Sequence, residues 1–188
     1  MTMLSPNTLN VDFATGALSG PSLIKITRTI ADLKGVFANQ AAFEALDPSR
    51  VVYRVQLFQP VPPDTEGSLF WGTTVVEAGL VGDEYFMTAG HFHTRRNRAE
   101  YYSTVLGRGA LILMDEARNS RVEWMSPGST HYIPASTAHR VANIGPSPLS
   151  FLACWPGDAG HDYETIRLRG FSVRLLCVDD QPTPVPQP

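Results

Sequence analysis

The stretch Thr88 to Tyr102, TAGHFHTRRNRAEYY, sets two histidines one residue apart, then several arginines, then a glutamate before two tyrosines. Imidazole nitrogens and carboxylate oxygens are the atoms that divalent first-row metals take from proteins. In a strand, residues i and i+2 share a face, so His91 and His93 project together. Glu100 opens the strand-like run EYYSTVL, and a hairpin between the two segments would bring its carboxylate beside the imidazoles. Tyr102, two residues on, shares the face of Glu100, and its phenol could orient a ligand hydroxyl or the glutamate. Tyr101 is expected to point the other way, into packing. His139, at a turn-to-strand junction in PASTAHRVAN, is a third candidate imidazole. Taken singly, each histidine is equally well read as a hydrogen-bonded strand or loop residue. The joint spacing carries the metal reading: His91-x-His93, six residues, Glu100, six residues, Gly107, then Gly128-x5-Pro134-x4-His139-x3-Asn143.

The elements that must position these groups read as strands. At 188 residues the chain is long enough for one hydrophobic core without staples. Fifteen glycines and fifteen prolines punctuate runs rich in Val, Ile, Phe, Tyr and Thr. Strands are expected over Ser22–Ile30, Val51–Phe58, Leu69–Glu77, Glu84–Thr88, Glu100–Leu106, Ala110–Asp115, Arg121–Met125, His131–Ile133, His139–Asn143, Leu149–Trp155 and Phe171–Cys177. Many short strands with tight turns predict an all-β barrel or sandwich, antiparallel in its pairing. One helix is expected, Ala38–Leu46, stopped by Asp47-Pro48 and packed outside the barrel. The C-terminal QPTPVPQP, residues 181–188, has little to bury and reads as a flexible, extended tail.

Composition excludes several classes. Eighteen acidic against fifteen basic residues leave no strong field to recruit nucleic acid or an anionic membrane, whereas a small ligand stays open. Cys154 and Cys177 are too few for a disulfide framework and read as buried free thiols. The start MTMLSPNTLN has neither a basic nor an apolar leader region, and no apolar run approaches the ~20 residues that span a bilayer. A cytoplasmic protein is the expectation. Arg95 and Arg96 read as a solvated face of a hairpin loop.

The two histidine-bearing motifs resemble those of the cupin superfamily, with a longer spacer between His93 and Glu100 and Ser136 where glycine is usual. Within it the chain is most similar to the cupin-type glucose-6-phosphate isomerases. The shared blocks are VDFATG (11–16), VVYRV (51–55), TTVVEAG (73–79), GHFH (90–93), RAEYY (98–102), AHRVANIG (138–145) and DAGHDYETI (158–166). Coverage runs from about residue 10 to about residue 177. The resemblance implies a cupin double-stranded β-helix, or jelly-roll, barrel in one domain over residues 1–180, with a short peripheral helix and an N-terminal strand extension. It implies interconversion of fructose 6-phosphate and glucose 6-phosphate, a step of glycolysis and gluconeogenesis, and a homodimer paired through sheet edges. His91, His93, Glu100 and His139 would be the metal ligands, and Glu100, Tyr102 and His161 the catalytic groups. Thr74, Thr88 and the Gly90 amide would take the phosphate, with Tyr53 and Tyr163 lining the pocket.

Three imidazoles and a carboxylate suit iron(II), manganese, nickel or zinc. A four-ligand zinc site would be closed, whereas an octahedral iron or manganese keeps two positions for the adjacent oxygens of an aldose or ketose; spacing does not choose between these two, and iron(II) is the favoured expectation. Two routes then fit: Glu100 moves a proton through a cis-enediol, or a hydride shifts between C1 and C2 while Glu100 stays a ligand. Two other readings share the same ligand set, an oxygen-dependent cupin dioxygenase and a non-catalytic sugar-binding cupin.

Overall fold

Alternation of buried and exposed positions, as in the one-in, one-out pattern of Thr130–Ile133, shows how these short runs find one face each. The structure is a computed structural model describing residues 8–187; expectations drawn from residues 1–7 and 188 lie outside it. β1 (Asn10–Val11) and β2 (Leu18–Ser19) make a two-stranded N-terminal extension. β3 (Ile24–Thr29), β4 (Val51–Phe58), β5 (Leu69–Val76), β8 (Glu100–Leu106), β11 (Thr130–Ile133) and β13 (Leu149–Pro156) form a six-stranded sheet in the order β11-β8-β13-β5-β4-β3. β9 (Gly109–Asp115), β10 (Ser120–Met125) and β12 (Thr137–Asn143) form a second, with β9 central. β6 (Leu80–Val81), β7 (Glu84–Tyr85), β14 (Val173–Val178) and β15 (Gln181–Pro186) form a third. Every pairing is antiparallel, and the non-sequential neighbours are those of a jelly roll, the double-stranded β-helix of cupins.

The core lies inside the barrel and includes Val76 of β5, Leu111 and Leu113 of β9, Val141 of β12 and Phe151 of β13. Nearly all of β9 is buried, so it reads as an unbroken apolar run, ALILM, rather than an alternating one. No described helix is long and apolar enough to cross a membrane.

Four expectations are corrected. The proline-rich C-terminus is not a free tail, because β15 pairs with β14 along its whole length. Pro182, Pro184 and Pro186 recur with period two at the sheet edge. Their missing N–H groups therefore face outward, and Gln187 N–H still reaches Ser172 O at 2.7 Å. The expected helix shrinks to α1 (Gln40–Glu44), begun by Asn39, whose side chain accepts from Ala42 N–H, and it buries no residue. A second helix, α2 (Glu164–Arg169), was not expected. It is short, with Ile166 its one buried residue, and starts where Asp162 accepts from Thr165 N–H and Oγ1. Cys154 and Cys177 are free but only half-buried.

Candidate metal and substrate site

Backbone pairing brings the candidate ligands together before any side-chain contact does. His91 and His139 are directly opposed, His91 N–H bonding His139 O at 3.2 Å and His139 N–H bonding His91 O at 3.0 Å. Their ring centroids lie 4.4 Å apart. Phe92 and Asp162 bond reciprocally in the same way, which carries His161 to 4.5 Å from the His91 ring. Glu100 begins β8, so its carboxylate faces inward, 5 % exposed, and Tyr102 follows on the same face. His91, His93, Glu100 and His139 each offer one ligand atom, and these atoms all lie within 4.8 Å of one another.

The hydrogen-bond partners of the imidazoles test whether a metal fits. His93 Nδ1 lies 3.0 Å from Arg98 O and His139 Nδ1 3.3 Å from Thr137 O. A carbonyl only accepts, so both Nδ1 atoms carry hydrogen, and each ring turns its Nε2, the atom left to ligate a metal, inward. His93 Nε2 then faces Glu100 Oε2 at 3.3 Å, and His139 Nε2 lies 3.1 Å from the same oxygen. The second contact lacks hydrogen-bond alignment, for His139 Nε2 and His91 Nε2 are buried without a hydrogen-bond partner among the described residues. A proton on His93 Nε2 can meet this carboxylate, but the buried Nε2 atoms of His91 and His139 are left without a partner among the described residues, and one ion among the four groups would satisfy them all. The donor set and its aim therefore fit one divalent ion.

Protonation follows the same geometry. Burial, then the neighbouring imidazoles of His139, His161 and His93, hold His91 well below its usual 6.5. Burial also pulls His93 down, but its bond to Glu100 and that group's charge outweigh this and leave it raised. Burial pushes Glu100 up, and His139 and His93 outweigh it, so the carboxylate stays ionised. Burial, with the Glu100 charge, keeps the Tyr102 phenol protonated far above neutrality. With its folded pKa above 6.5, His93 carries a proton in most metal-free molecules at pH 6.5 and must lose it to ligate. Metal uptake at that pH is expected to release protons, and fewer as the pH rises. Titration calorimetry in buffers of different ionisation enthalpy measures it; release of none would show that His93 is already neutral in the metal-free chain.

Every expected pocket residue comes together here. Tyr53, Thr74, Thr88, Gly90, His91, Glu100, Tyr102, His139, His161 and Tyr163 line one cavity of about 150 Å³, with His93 buried behind. Thr88 Oγ1 accepts from Val141 N–H, which leaves its own hydrogen to donate. Gly90 has φ +76°, and a Cβ there would sit 2.7 Å from the Phe171 ring, so this position takes only glycine. The same wall holds Arg28, Phe151 and Trp155, which spacing to the histidines did not reveal. Phe151 and Trp155 follow from the period-two alternation of β13.

The arginine run is corrected. Arg95 and Arg98 both pair with buried Asp158, at 2.7 and 2.6 Å, and Arg96 pairs with Asp162 at 2.6 Å and stacks on Phe92. These pairs latch the histidine loop to the segment bearing His161 and Tyr163. Tyr101 does point away from the cavity, yet it is 53 % exposed beside Tyr132 rather than packed. The fifth histidine, His131, stands apart, bonded to Glu123 and Ser129.

With the geometry in view, similarity to known proteins is specific. A family model described as Glucose-6-phosphate isomerase (GPI) matches residues 27–184. A protein named glucose-6-phosphate isomerase from Pyrococcus abyssi is 41 % identical over 171 residues, 89 % of this chain and 87 % of that one. Its namesake from Thermococcus kodakarensis is 39 % identical over 186 residues, 97 % and 95 % of the two chains. A bacterial namesake, from Sinorhizobium medicae, is 36 % identical over 181 residues, covering 95 % and 83 %.

Proposed function

Because this chain belongs to the cupin-type glucose-6-phosphate isomerase family, we propose that it interconverts fructose 6-phosphate and glucose 6-phosphate with one divalent metal ion, iron(II) favoured, held by His91, His93, Glu100 and His139. The observation that supports the metal part is the convergence of one ligand atom from each of His91, His93, Glu100 and His139 to within 4.8 Å of one another. Such an ion would polarise the sugar carbonyl and acidify the neighbouring C–H.

The chain's own groups do the rest. Glu100, ionised and facing the cavity, takes the proton from one carbon and returns it to the next. Tyr102, which keeps its proton, donates a hydrogen bond that orients a sugar oxygen. His161 lines the cavity with its other side open to solvent; partial loss of hydration lowers its pKa against the opposing charge of Glu100, and its imidazole can pass a proton between the two sugar oxygens. Thr74, Thr88 and Gly90 N–H receive the phosphoryl group, and Tyr53 and Tyr163 close the walls. The assay is formation of glucose 6-phosphate from fructose 6-phosphate with and without oxygen. Equal turnover anaerobically supports the isomerase; activity that needs oxygen would move the chain to the dioxygenase reading.

The reading extends to a homodimer in the cytoplasm. Its support is an exposed aromatic pair, Tyr101 and Tyr132, on neighbouring strands at the β11 edge of the large sheet, which a second copy would cover. Sedimentation velocity is expected to give twice the chain mass, and a monomer would contradict it.

A further inference from the structure

Beside the metal-facing cavity lies a second, of about 460 Å³, which adjoins the first along Arg28, Tyr53, Ala89, Gly90 and Tyr163, residues that line both. Its lining holds six basic side chains, Arg28, Lys34, Arg140, Arg167, Arg169 and Arg174, against one acidic side chain, Asp32. This clustering stands out in a chain whose net charge is −3. Asp32 is already engaged, accepting from Thr29 N–H and Oγ1. Part of the cluster has ordinary explanations. Arg174 pairs with Glu84 and Arg167 with Glu164, and Arg167 and Arg169 sit in the last turn of α2, where cations suit the helix dipole.

Arg140 has no such account. It is 5 % exposed, its guanidinium stacks 4.6 Å over Phe171, and one amino group donates to Ala89 O. Its Nε has no hydrogen-bond partner among the described residues, and no carboxylate forms an ion pair with it there. A buried guanidinium without a counter-ion is costly, and its planar fork of donors matches a tetrahedral oxyanion.

We propose that this cavity is a second oxyanion site, taking a phosphate-class dianion separate from the sugar's phosphoryl group, with Arg140 as its floor and Lys34 and Arg169 at its rim. Thr74 and Thr88 line only the metal-facing cavity, and Arg140 and Arg174 only this one, so a single phosphoryl group does not satisfy both. That the anion is a second one rests on the placing of the sugar phosphate above; that the cavity binds an anion does not. An occupant would abut Gly90, beside the sugar's phosphoryl group, and weaken sugar binding by like-charge repulsion.

The test is calorimetric titration of the full metal-loaded chain with inorganic phosphate at low ionic strength, against a chloride control, with fructose 6-phosphate saturating. Phosphate is expected to bind. The exposed double variant Lys34→Gln/Arg169→Gln should weaken it about tenfold, and Arg140→Lys should weaken it too. Thr88→Val should leave it within about twofold, since Thr88 belongs to the other cavity. No heat above the chloride control, an affinity unmoved by Lys34→Gln/Arg169→Gln, or strictly competitive binding, in which phosphate affinity keeps falling as fructose 6-phosphate rises instead of levelling off, would each overturn the second site. Failure of the isomerase reading shows separately, as no glucose 6-phosphate formed.

Discussion

Replacing His139 with alanine is expected to strip the metal and the isomerase activity together while leaving the barrel folded. His139 is 2 % exposed, and its Nδ1–H is spent on Thr137 O, so its only free function is the Nε2 lone pair beside Glu100. The strand pairings that hold it, β12 with β9 and the reciprocal bonds with His91, use backbone atoms that alanine keeps. Losing a ligand from a carbonyl-polarising ion removes several kcal/mol of transition-state stabilisation, so turnover should fall by at least about a thousandfold. Metal content by mass spectrometry and a coupled assay, run on one preparation with circular dichroism, check it. His91→Ala and His93→Ala should behave alike. Full activity in a metal-free His139→Ala protein would show that the ion is not part of the chemistry.

Glu100→Gln separates binding from catalysis. Glutamine has nearly the same shape and keeps one oxygen for the ion, but it cannot hold a proton taken from carbon. Some metal should be retained, and kcat should fall by about 10²–10⁴, with KM changed much less. The variant has a second signature. Glu100 is what raises His93, so in Glu100→Gln the imidazole drops below its present value and proton release on metal uptake at pH 6.5 should shrink. The alternative, a hydride shift with Glu100 only a ligand, predicts substantial turnover in the variant and no solvent deuterium in the product of a single turnover. Deuterium incorporation by the unmodified enzyme, lost together with turnover in Glu100→Gln, assigns the proton to Glu100.

The ligand set was legible because its signals are local. Two histidines at i and i+2 share a face in any extended segment, and Glu100 opens a strand whose bounds, 100–106, were evident from EYYSTVL. What joins them is not local. The bridge between His91 and His139 spans 48 residues by number, and the family resemblance, not spacing, carried His161 and Tyr163. The arginines show the limit most directly. Arg95 and Arg96 read as a solvated loop until Asp158 and Asp162, some sixty residues on, are seen to be their partners. Composition misled at the C-terminus, where prolines signal disorder in isolation but at period two mark one edge of a paired strand. Arg140 sat in the recognised block AHRVANIG, yet its meaning depends on Phe171 and Ala89 around it, which no periodicity reveals.

The central claim is that a divalent ion at His91, His93, Glu100 and His139 drives sugar-phosphate isomerisation. It is tested by stripping the protein with chelator, reloading it separately with iron(II), manganese and zinc, and following glucose 6-phosphate formed from fructose 6-phosphate. The account predicts no turnover in the stripped protein and recovery on reloading, iron(II) or manganese above zinc because an octahedral ion keeps positions open for the sugar oxygens. Full turnover in protein shown to be metal-free, or none in any form shown to hold metal, would contradict it.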